Sequence, residues 1–79
     1  MTVEQLQKAR EALPFRPFSI HMADGRSFRV PHRDFMWLTP GGRTLMVAGN
    51  DGAASILDSL LVTELAFEAE ARVGGGEAR

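Results

Sequence analysis

Along the middle of this chain, apolar and polar residues alternate in short runs. Phe18, Ile20 and Met22 alternate with Ser19 and His21, and Phe28 and Val30 alternate with Ser27 and Arg29. A side-chain period of two marks strands with one buried face. Three glycine-bearing turns, Ala23-Asp24-Gly25, Pro40-Gly41-Gly42 and Asn50-Asp51-Gly52, separate the runs. The pattern predicts a mainly β domain with an N-terminal α-helix, built as a small, strongly bent antiparallel sheet or barrel of five strands.

The first hairpin has a decidable register. A two-residue Asp24-Gly25 turn would place Ile20 opposite Arg29 and send the two apolar sets to opposite faces. A three-residue loop instead pairs Ile20 with Phe28 and Phe18 with Val30, and it needs Gly25 at positive φ. Pro31 closes the second strand. Residues 35–39 read as a third strand, followed by a type II turn with Pro40 and Gly41 at its centre. Residues 44–48 form a fourth strand and residues 54–57 a fifth.

Upstream, residues 2–13 read as a helix. Thr2 and Gln5 form a capping box, Val3, Leu6 and Leu13 share a stripe beside Ala9, and Pro14 ends the helix. Residues 54–72 fit either state. Leu57, Leu60, Leu61 and Leu65 can line one helical face, whereas residues 60–67 can form a strand, with residues 68–72 helical after it. The strand is the preferred reading. Residues 1–73 then make one domain, with the β region at 15–67, and residues 74–79 form a flexible tail.

Composition narrows what such a domain can do. Its 79 residues include no cysteine, so neither disulfides nor thiolate–metal bonds can reinforce a small core. Association with another chain is the remaining stabiliser. Strand edges near residues 44–48 and 60–67 carry few charges, and Leu57, Leu60, Leu61 and Leu65 are the candidate interface residues. The expected partners are further copies of the chain, in a closed ring or a two-fold dimer, or another protein. No signal peptide or membrane-spanning run is evident, so a soluble cytoplasmic protein is expected.

Net charge is −1, but it is unevenly spread. Residues 1–50 carry most of the cations, and residues 51–79 most of the anions. Arg26, Arg29, Arg33 and Arg43 fall near strand ends. With Phe15, Phe35 and Trp37 they could bind single-stranded nucleic acid if the rings were exposed, although a chain this small needs those rings in its core. His21, His32, Asp24 and Asp34 are the only cluster that brings histidines and carboxylates of metal-ligand type together. Metal-dependent hydrolysis would need three of them to converge, whereas His32 and Asp34 also suit a turn. No serine has a nucleophile-elbow context, and Pro40-Gly41-Gly42-Arg43 lacks the Lys-Ser/Thr of a phosphate loop. The expectation is a non-enzymatic module with no cofactor and no metal site.

Two resemblances accompany this reading. The order of helix and strands resembles Sm-like and SH3-like small β-barrels, and the segment from Phe18 to Arg26 resembles the first strand and turn of the bacterial Sm-like RNA chaperone Hfq. That likeness implies a barrel, and RNA binding as an alternative function, but the family's Tyr-Lys-His run has no counterpart near Leu57-Asp58-Ser59. The pattern Pro14-Phe15-Arg16-Pro17-Phe18, Ala23-Asp24-Gly25-Arg26, Pro31-His32-Arg33-Asp34 and Leu57-Asp58 resembles a group of small bacterial proteins of uncharacterised function, and it implies no activity.

Overall fold

A computed structural model describes residues 1–69. Helix α1, Val3–Glu11, opens the chain. Six strands follow: β1 Phe18–Met22, β2 Ser27–Val30, β3 Met36–Leu38, β4 Thr44–Ala48, β5 Ala54–Asp58 and β6 Val62–Phe67. They form two antiparallel three-stranded sheets, ordered β2-β1-β6 and β3-β4-β5. The expected helix at 68–72 and the tail at 74–79 fall largely or wholly outside the described residues.

The capping box at Thr2 and Gln5 is present, with the Gln5 N–H donating to Thr2 Oγ1 at 3.2 Å. The helix is shorter than expected. Ala12 is already extended, and Leu13, which its spacing places on the buried stripe, is 85% exposed. The cause is local, since the residue before Pro14 is disfavoured in the α conformation and the helix unwinds ahead of it. Leu6 and Ala9 carry the buried face.

The first hairpin has the register that alternation requires, Ile20 opposite Phe28 and Phe18 opposite Val30, and Gly25 has φ +95°. The strand count differs from five, and the sheet does not close into a barrel. Residues 27–38 are interrupted after Val30 by Pro31 and by a 3-10 turn at Arg33–Phe35, which leaves β2 in one sheet and β3 in the other. Residues 54–67 likewise divide at a 3-10 turn, Ser59–Leu61, into β5 and β6. Phe35 therefore lies in a turn, and the expected third strand starts one residue late.

Between the sheets lies a single core. Phe18, Ile20 and Met22 of β1 meet Val30, Met36, Leu45, Val47, Leu57 and Val62, with Leu6 and Ala9 of α1 at one side. Phe15, Phe28, Phe35 and Leu65 are half-buried against it. Phe18 is the central ring, with centroids 5.8 Å from Phe15 and 5.3 Å from Phe67. Among the described residues no helix is long and apolar enough to cross a membrane.

Candidate assembly interface

Two open sheets have four outer strands: β2, β6, β3 and β5. Each presents unpaired backbone groups that can join another chain unless something blocks them. The expected edge at residues 44–48 is not one of them, because β4 is the middle strand of its sheet. Its inward residues Leu45 and Val47 are the most buried of its run, as suits a central strand. The expected edge at residues 60–67 is confined to β6.

Each of three of these edges carries an engaged carbonyl, a charge or a proline. On β3, Arg10 Nε donates to the Met36 carbonyl at 2.6 Å, so a side chain of α1 engages that edge. On β6, the Met1 nitrogen donates to the Val62 carbonyl at 3.2 Å, and Met1 packs on the core beside it. β2 has only four residues, includes Arg29, and stops at Pro31. Charge and proline are both ordinary guards of an edge.

β5 has no proline, and its one charge, Asp58, lies at its last residue, so Ala54-Ser55-Ile56-Leu57 carries neither guard. It is held in place at both ends. At its start, Asp51 Oδ1 accepts the Ala53 N–H at 3.0 Å, and the Gly49 N–H donates to the Ala53 carbonyl at 2.8 Å. At its end, Asp58 Oδ1 accepts the Leu60 N–H at 2.9 Å. The next residue, Ser59, is buried, and its Oγ donates to the Gly42 carbonyl at 2.7 Å. The Ser59 N–H reaches the Arg43 carbonyl at 2.9 Å.

Those contacts fix which amides point outward. Antiparallel partners alternate between hydrogen-bonded and non-hydrogen-bonded pairs. Gly49 with Ala53 and Arg43 with Ser59 are bonded, and the ladder between them runs Ala48↔Ala54 to Thr44↔Asp58. Ser55 and Leu57 therefore turn their backbone groups to β4, while Ala54, Ile56 and Asp58 turn theirs to the free side. Among the described residues no donor or acceptor reaches those outward groups. The Ile56 side chain lies on the outer face of the sheet and is 70% exposed. Met46 is its neighbour on β4 and Trp37, 46% exposed, the next on β3, so an apolar row crosses the outer face.

The four leucines expected at an interface are dispersed. Leu57 is in the core, Leu65 is half-buried against it, and Leu60 and Leu61 are exposed on the 3-10 turn. Ile56 carries no distinguishing signal in the sequence, because it adjoins Leu57 and either of the two could face the core. Its exposure follows from which face the sheet buries.

All four arginines expected at a nucleic-acid surface have partners within the chain. Arg26 pairs with Asp24 at 2.9 Å, and Arg43 with Asp58 at 3.2 Å. Arg29 grips Glu68 with two nitrogens, and Arg33 donates to the Ala12 carbonyl at 3.1 Å while stacking over Phe15. The carboxyls respond. The Leu60 N–H and then Arg43 hold Asp58 below the usual carboxylate range. Asp24 is lowered chiefly by the Arg26 N–H, and Glu68 by Arg29, whose own value Glu68 raises. Trp37 is exposed, but Phe15 and Phe35 are half-buried. His32 precedes the Arg33–Phe35 turn without capping it. His21 lies on β1, and among the described residues no three groups of metal-ligand type converge. A cleft of about 380 Å³ opens between Phe28, Arg29 and Pro31 on one side and Val47, Asn50 and Ser55 on the other.

No family model matches the chain, and neither a curated protein nor a solved structure matches it significantly.

Proposed function

We propose that this chain is a non-catalytic assembly module that associates with further copies of itself through an exposed strand edge. The observation that carries the reading is β5, a five-residue edge with outward amides at Ala54, Ile56 and Asp58 and an apolar side chain, Ile56, at its centre. The other edges each carry an engaged carbonyl, a charge or a proline, through Arg10, Met1, Arg29 and Pro31, which makes β5 the least guarded of the four. The helix followed by short bent strands, with β1 between β2 and β6, supports an Sm-like or SH3-like plan for the module.

Single-stranded nucleic acid has less support as a ligand. Arg26, Arg29 and Arg43 are already opposite carboxylates, so binding phosphates there would first break three ion pairs. Sedimentation velocity tests the assembly reading. The weight-average mass should rise above that of one chain between low micromolar and millimolar concentration. A mass that stays at one chain throughout that range refutes it.

A further inference from the structure

We infer that two copies join β5 to β5 antiparallel about a two-fold axis at Ile56, merging their β3-β4-β5 sheets into one six-stranded sheet. The inference rests on the assembly reading above and adds its geometry and copy number.

The alternation of amides restricts the pairing. Only outward-facing residues can bond across the new seam, so Ala54, Ile56 and Asp58 must meet one another. Centring the axis on Ile56 sets Ile56 opposite its own copy and Ala54 opposite Asp58 of the second copy. That register uses all three outward residues of both strands. Moving the axis to Ser55 or Leu57 leaves one of them unpaired within the strand. The side chains agree with it. Asp58 meets Ala54 instead of another carboxylate, and no like charges face each other. On the outer face, the row Trp37, Met46, Ile56 continues into Ile56, Met46 and Trp37 of the second copy.

The same geometry explains why association stops at two. A head-to-tail ring would need β5 to join a different edge of the next copy. β3 and β6 have carbonyls engaged by Arg10 and Met1, and β2 is short and charged. Self-pairing consumes the β5 edge of both copies, which closes the assembly. One short strand pair buries less than the roughly 1,000 Å² of a stable interface, so the dimer is weak and concentration-dependent.

The absence of native cysteine permits a direct test on the full chain. Ile56→Cys and Ala54→Cys each introduce one thiol on an exposed residue of the same face. On the axis, the Cα atoms of the two Ile56→Cys sites would sit about 5.5 Å apart, within disulfide reach. Two residues off the axis, the thiols of Ala54→Cys are separated by about 13 Å along the strand and cannot bridge. Under mild oxidation, Ile56→Cys should convert to covalent dimer at least tenfold more completely than Ala54→Cys. Ile56→Lys should abolish the mass increase while leaving the circular dichroism spectrum unchanged. If the wild type dimerises but Ile56→Cys does not crosslink preferentially, this register is wrong and the broader assembly reading survives. Oligomers larger than two overturn the two-fold closure, and a persistent monomer overturns both.

Discussion

Gly25 and Gly42 both have positive φ, +95° and +76°, yet a methyl group would meet different surroundings at each. A Cβ on Gly25 would have nothing within 4 Å, so the strain of Gly25→Ala is confined to the backbone. It should cost about 1 kcal/mol, read as a lower urea midpoint with an unchanged slope. A Cβ on Gly42 would overlap the Val3 side chain and push α1 off the sheet. Gly42→Ala should therefore cost more than Gly25→Ala. The order of the two midpoints checks this, and equal losses would mean that the helix docks loosely. The chain reveals only half of the difference. Alternation on both sides of Ala23-Asp24-Gly25 fixes that loop length and hence the conformation of Gly25. The contact between Gly42 and Val3 spans 39 positions and depends on where the helix lands, which no local pattern encodes.

At the scale of elements, the corner between β5 and β6 joins the two sheets. Two short side chains, Asp58 and Ser59, hold it together with the Ser59 backbone N–H. Ser59→Ala would leave the Gly42 carbonyl without its hydroxyl partner in a buried site, which should cost about 1–3 kcal/mol in chemical denaturation. Asp58 makes the corner sensitive to pH. Its folded value is lowered, first by the Leu60 N–H and then by Arg43. A lowered folded value gives stabilisation that is complete above the unfolded value and is lost as pH falls through the folded one. The melting temperature should thus be flat near neutral pH and decline below about pH 4. Asp58→Asn should start lower and decline less steeply, and parallel curves would show that Asp58 contributes no pH dependence. This corner also shows where sequence reading succeeds and fails. Asp58-Ser59 is legible as a turn, and the strand preference for residues 60–67 suits β6. The leucine spacing that suggests a common face at Leu57, Leu60, Leu61 and Leu65 is an accident of the break, because the residues fall on β5, a 3-10 turn and β6. Residues 27–38 are read closely, with strands expected at 27–30 and 35–39 and found at Ser27–Val30 and Met36–Leu38. Pro31 is legible as a strand end, but the transfer of β3 to the second sheet is a tertiary outcome.

For the whole molecule, the question is whether the apolar row or the strand edge meets the second copy. Both are exposed on the same sheet, and both would raise the mass in solution. Trp37 distinguishes them. It is the only tryptophan, it is 46% exposed, and it lies on β3, two strands from the free edge of β5. Strands in a sheet are spaced by about 4.8 Å, so pairing at β5 adds backbone roughly 14 Å from the Trp37 strand and leaves the indole in water. Packing the outer faces together would cover Trp37 with Met46 or Ile56 of the second copy and remove it from solvent. Edge pairing therefore predicts that the emission maximum and acrylamide quenching of Trp37 stay constant across the concentrations at which the mass doubles. A blue shift with reduced quenching over that range would assign the contact to the sheet face instead. Ile56 is common to both arrangements, so its substitution weakens association either way, and the indole is the reporter that separates an extended sheet from a stacked one.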